Sequence, residues 1–244
     1  MAASPVSSTS YYALSLAPRY SVLFALPLLI VYEALAALLA GDDGIRNGAD
    51  VLLRSMFTAV IGRDGSLIFI AVVILVGIWY VVRDLKKSRS LRPSIFCAML
   101  AESVVIALAF GIVVGTLTAK LLGSVHLLAI GQIEQSGWAT RLMLSLGAGL
   151  YEELLFRVLL VSALAAGARA LLGVQGRLAG VLATVVAAIV FSAFHYIGPY
   201  GEPFQFQSFT FRMISGVAFS ALYLLRGFGI TAWTHALYDV FLLL

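Results

Sequence analysis

Three short groups of ionisable residues interrupt apolar runs in the second half of the chain. They are Glu152, Glu153 and Arg157 in Tyr-Glu-Glu-Leu-Leu-Phe-Arg, His195 closing Phe-Ser-Ala-Phe-His, and His235 with Asp239 in His-Ala-Leu-Tyr-Asp. An ionised side chain near a bilayer centre costs from a few kcal/mol upward, so such residues are expected to face a bundle interior, to pair, and to carry function. On a helix Glu153 and Arg157 are four apart, which stacks them on one face with the acid toward the N-terminus, the better order for an ion pair. Glu152 is turned about 100° from its neighbour by α-helical geometry and is left without that partner. It is therefore the candidate chemical carboxylate. A carboxylate and an imidazole can together activate water as general bases, and a second imidazole can stabilise the oxyanion that forms. His235 and Asp239, again four apart, share a face.

The elements that must position these groups are membrane helices. Of 244 residues, 61% are hydrophobic and 11% charged, against roughly 45–50% and ~25% in soluble domains. Apolar runs predict seven spans: Ser21 to Leu39, Ser66 to Val82, Ile95 to Leu117, Leu142 to Leu164, Leu178 to Tyr196, Ser208 to Leu225 and Phe228 to Leu244. Val51 to Ile61, carrying Arg54, reads as an interfacial helix. Backbone polar groups must be paired internally in lipid and no alternating ten-residue segments are present, so the expected fold is an all-α polytopic bundle. One membrane domain over 1–244 is expected, with residues 140–244 as its catalytic core.

The net charge of +4 is explained by loops facing anionic headgroups, and nucleic-acid binding is not implied. Arg83, Lys86, Lys87, Arg89 and Arg92 crowd between spans two and three against Asp84 alone, the strongest cytoplasmic-loop signal in the chain. Counting crossings from there puts the N-terminus, Arg169, Arg177 and Arg226 inside and Arg46, Arg63, Lys120 and the C-terminus outside. Glu152 and His195 then lie toward the outer side. The expected location is a bacterial-type inner or plasma membrane, with a cytoplasmic N-terminus.

Other features receive plainer readings. Cys97 packs, His126 is a surface residue, and Glu33 and Glu102 either line a water path or pair near span ends. Gly111 and Gly115 permit close helix approach inside the bundle. The loop from Gly198 to Gln207 is an ordinary turn rather than a lid. Zinc chemistry lacks a helical His-Glu-x-x-His, and Ser145 and Ser192 lack the setting of a nucleophile.

The three groups, in this order and each on its own span, resemble the motifs of the CPBP family of CAAX proteases and bacteriocin-processing enzymes, also called the Abi family. Glu152-Glu153-Leu-Leu-Phe-Arg157 corresponds to Glu-Glu-x-x-x-Arg, Phe191-Ser-Ala-Phe-His195 to Phe-x-x-x-His, and His235-Ala-Leu-Tyr-Asp239 to His-x-x-x-Asn/Asp. The resemblance runs from about residue 140 to the C-terminus. It implies a glutamate-dependent intramembrane endopeptidase without metal or organic cofactor. Glu152 and His195 would activate water, His235 and Asp239 would serve the oxyanion site, and Glu153 and Arg157 would support them. Its substrate would be a membrane-associated peptide or protein, whether a prenylated tail, a leader peptide or a sorting tail. Where many relatives carry Asn, an ionised Asp239 accepts hydrogen bonds but cannot donate one, so it is expected to orient His235. The alternatives are a non-catalytic immunity or peptide-binding protein and a proton-coupled transporter. The latter fits poorly with the small size and the absence of visible inverted repeats.

Overall fold

The computed structural model describes residues 10–39, 45–88, 90–123, 137–198 and 201–242. His126 and part of the loop after Gly198 lie outside them. Every regular element among the described residues is a helix: α1 (Tyr11–Leu16), α2 (Pro18–Leu38), α3 (Gly48–Ile61), α4 (Gly65–Leu85), α5 (Pro93–Leu122), α6 (Trp138–Leu172), α7 (Gly176–Phe194) and a final stretch, Phe206–Leu242. Local sequence sets their ends. Pro18 and Pro93 open α2 and α5, where a missing N–H costs nothing. Gly123 and Gly173 close α5 and α6 in the left-handed conformation.

Among the described residues, six helices are long and apolar enough to cross a membrane, one fewer than the seven predicted spans. The difference lies in the final stretch of 37 residues. A straight helix of that length would extend ~55 Å. Instead Gly227 adopts φ 76°, ψ 178°, a backbone region essentially reserved for glycine. The rings of Phe219 and His235, sixteen positions apart in sequence, consequently stack at 4.3 Å. A continuous helix would hold them ~24 Å apart, so the chain doubles back at Gly227. Residues 206–226 (α8) and 228–242 (α9) are thus two antiparallel traverses, the last one short. The protein is an integral, multi-pass helical bundle.

The hairpin is gripped by α5. Phe110 stacks on Phe219 at 4.2 Å and meets Tyr238 at 5.0 Å, and a Cβ on Gly111 would stand 3.1 Å from the Tyr238 ring. Gly111 therefore serves packing within the bundle, whereas a Cβ on Gly115 would meet nothing within 4 Å, so of the two glycines expected to permit close approach only the first does.

At one end of the bundle, Arg226 binds both oxygens of Glu102 (2.6 and 2.8 Å) and the hydroxyl of Ser15 (3.0 Å). Burial, reinforced by its hydrogen bond to Glu102, pushes the Tyr11 hydroxyl up to about 12. Arg19 pairs with Asp84 at 2.8 Å, and the Tyr20 hydroxyl accepts from the Arg92 amide at 2.9 Å. This end carries the basic loop after α4. Glu102 is accordingly a paired acid, and so is Glu33 at the opposite end, where Arg46 and Arg54 hold it. The segment read as interfacial is α3. It is too short to cross at 14 residues. It exposes Val51, Leu52, Met56, Val60 and Ile61, while Arg54 turns inward to Asp50, Glu33 and Ser66.

Candidate active site

The central part of α6, Ala148–Val161, is wound as a π-helix. Its i→i+5 hydrogen bonding widens the helix, a rare geometry that tends to occur at functional sites. With more residues per turn, the angular step falls below the α-helical value used to separate Glu152 from Glu153. The two carboxylates nevertheless have different partners.

Glu153 is fully buried and committed. Its Oε1 lies 2.6 Å from His235 Nδ1, and its Oε2 lies 3.2 Å from Arg157 Nε. Arg157, also fully buried, packs its guanidinium over Phe191 (4.4 Å to the ring centre) and Phe219 (5.5 Å), and donates from Nη2 to the Gly216 carbonyl at 3.4 Å. Cation–π contact of this kind strengthens when desolvated.

Glu152 is held on one side only. Its Oε1 accepts from Asn47 Nδ2 at 2.9 Å, whereas its buried Oε2 has no partner in the protein.

His195 caps the C-terminal end of α7, with its Nδ1 2.9 Å from the Phe191 carbonyl. A carbonyl can only accept, so Nδ1 carries the proton and Nε2 presents a lone pair in the neutral ring. The Glu202 amide donates to the His195 carbonyl at 3.0 Å, and Arg212 bonds Glu202 (2.7 Å) and the Tyr196 hydroxyl (3.3 Å), tying the following loop to α8. That loop thus has a turn's internal bonding where it is described.

His235 is placed between two carboxylates. Glu153 bonds Nδ1, and Asp239 Oδ2 stands 3.8 Å from Nε2, beyond hydrogen-bond range but within ion-pair range. Stacking on Phe219 with planes 20° apart fixes the ring's tilt. All six residues singled out in the sequence thus lie in one cluster at the bundle end opposite the basic loop. Among the described residues, no three of His, Cys, Asp and Glu gather closely enough to hold a metal ion.

Comparison with protein-family models matches residues 134–241 to the Rce1-like family, described as type II CAAX prenyl endopeptidase Rce1-like. The match spans 108 of the 244 residues and agrees with the CAAX-protease resemblance carried by the three motifs. This similarity supports a CAAX-type intramembrane endopeptidase. Comparison with curated proteins and with solved structures finds no significant match.

The Rce1-like segment contains the six residues but not all that touch them. Asn47, from the loop that opens α3, escaped the sequence reading because it is uncharged and lies far from the motifs. A cue was present in Asn47-Gly-Ala-Asp50, a helix-start pattern with a capping residue and an acid in the first turn. Around it, Tyr32 donates to Asp50 (2.9 Å), Tyr151 donates to Glu33 (2.6 Å), and Arg46 and Arg54 bridge both acids. Burial alone would lower the affinity of Arg46 for its proton, but its bonds to Glu33 and Asp50 outweigh that and hold it charged.

Proposed function

We propose that the protein hydrolyses a peptide bond of a membrane-associated substrate by water activation at Glu152 and His195. The observation that carries this reading is the different company of the paired carboxylates: Glu153 bonds His235 and sets its other oxygen, not itself hydrogen-bonded, in ion-pair contact with Arg157, whereas the second oxygen of Glu152 has neither a hydrogen-bond nor an ion-pair partner. Glu152 Oε2 takes a proton from water while His195 Nε2 accepts the water's second hydrogen and aims its lone pair at the scissile carbonyl. Hydroxide adds to the carbon, and the oxyanion faces His235, which can donate from Nε2 when Glu153 and Asp239 stabilise a doubly protonated ring. Collapse breaks the C–N bond and passes the Glu152 proton to the leaving amine, giving a carboxylic acid and a free amine; the acid then gives up its remaining proton, by way of His195 Nε2, to become the carboxylate. No step requires a metal or an organic cofactor.

The substrate class suggested by the family description is a prenylated CAAX-type tail; a leader peptide or sorting tail would present the same bond. Cleavage of such peptides by purified protein, compared with Glu152→Gln, tests the reading. Asp239 enters as an orienting group for His235. Asp239→Asn is expected to keep a measurable share of the cleavage rate and Asp239→Ala to lose about tenfold more, by single-turnover assay. Equal losses in the two would remove Asp239 from that role.

By the positive-inside count, the cluster opens away from the cytoplasm, with the basic loop inside. With Cys97 replaced by Ser, a cysteine at Ser90 should react with a membrane-impermeant maleimide only after lysis. One at Trp138, 73% exposed at the other end, should react in intact cells. The opposite pattern would turn the site to the cytoplasm.

A further inference from the structure

The first half of the chain, outside the Rce1-like segment, supplies one side chain that reaches the candidate carboxylate. Asn47 is the N-cap of α3 and is itself buried. Its amide performs two tasks at once. Oδ1 accepts from the Ala49 amide at 2.9 Å, capping the helix, and Nδ2 donates to Glu152 Oε1 at 2.9 Å. Its backbone is fixed as well, since the Asn47 amide donates to the Tyr32 hydroxyl at 3.1 Å and that hydroxyl donates to Asp50, which Arg46 and Arg54 hold. The approach of α6 depends on Gly147, where a Cβ would fall 2.4 Å from the Tyr32 ring and 2.8 Å from Asn47 Cβ. Tyr32, Asn47 and the start of the π-helical stretch are therefore interlocked.

From this geometry we infer that Asn47 is a positioning residue for Glu152: it holds Oε1 and leaves Oε2 as the oxygen that meets water. The inference rests on Glu152 being the catalytic carboxylate. An amide is suited to the task because one end must accept, for the helix cap, while the other must donate, for the carboxylate. Aspartate would keep the first function and lose the second, placing a negative charge against Glu152. Serine would keep a capping oxygen without the reach to Glu152. The other charged or titratable groups acting on Glu152 are His195 from α7, His235 and Asp239 from α9, and Arg157 from its own helix, all of which remain in these variants. Loss of the Asn47 donor should make the ionised Glu152 harder to maintain, so the acid limb of the rate profile should move toward higher pH.

The test compares wild type, Asn47→Asp, Asn47→Ser and Glu152→Gln with a peptide substrate across pH, together with thermal unfolding in detergent. Asn47→Asp keeps the cap but sets a buried carboxylate against Glu152, so it is expected to melt below wild type, and Asn47→Ser, which adds no charge, closer to it. The kcat of Asn47→Asp should fall about 100-fold at neutral pH with KM little changed, and its acid limb should rise by about one pH unit. Asn47→Ser should show the same shift with a loss of about tenfold. If Asn47→Asp does not fold, Asn47→Ser decides the matter. Wild-type kcat and an unmoved acid limb in a folded Asn47 variant, with Glu152→Gln inactive, would overturn the role of Asn47 alone. A folded and fully active Glu152→Gln would overturn the assignment of Glu152 and, with it, this one.

Discussion

Glu152→Gln should insert and melt as wild type does while losing peptide cleavage by roughly 10³-fold, the scale on which a positioned general base contributes. The substitution is nearly isosteric. Its carbonyl oxygen can still accept from Asn47 Nδ2, so the contact that anchors the side chain to α3 survives. What disappears is proton affinity at the open oxygen, which in the wild-type protein has no partner and lies buried beside the imidazoles. Glu153 cannot take over, since it is engaged by His235 and Arg157, and His195, whose free Nε2 already holds the water's second hydrogen, is left to act alone. Single-turnover cleavage and a melting curve on the same preparation check both halves of the expectation. A folded variant retaining activity within a few-fold of wild type would exclude Glu152 as the base.

Much of this arrangement was legible in the sequence because charge within an apolar run leaves few structural options. Spacing of four placed Arg157 beside Glu153 and Asp239 beside His235, and both pairs are found together. A break in the last stretch was legible too, since one apolar run ends at Leu225 and the next begins at Phe228. Two things were not. The widening of α6 into a π-helix depends on how its turns pack, which no periodicity reports, so the rotation between Glu152 and Glu153 was drawn from the wrong helix. Asn47 was missed because a neutral amide carries no charge signature and reaches Glu152 across 105 residues of sequence. Tertiary contacts of that kind follow from the α2–α3–α6 packing around Gly147, where a single methyl would collide with Tyr32.

The second large effect concerns stability rather than chemistry. Arg157 is 1% exposed and its ion partner Glu153 is 0% exposed, so neither charge has water to fall back on. Arg157→Met should fill most of the space between Phe191 and Phe219 yet leave Glu153 with only His235 as a polar partner. Removing one member of a buried pair typically costs about 3–5 kcal/mol, because the remaining charge is left uncompensated. The expected result is a marked drop in the detergent melting temperature, with cleavage falling in parallel as the π-helical stretch loosens. A double substitution separates charge from packing. In Glu153→Gln/Arg157→Met, the glutamine can still accept from His235 Nδ1 and no buried charge is orphaned, so most of the lost stability should return. Cleavage should not return with it, since His235 would have lost the carboxylate that lets its ring hold a second proton. If Arg157→Met melts at the wild-type temperature, the buried pair is not what holds α6 against α7 and α8, and the apolar contacts around Phe191 and Phe219 must suffice alone.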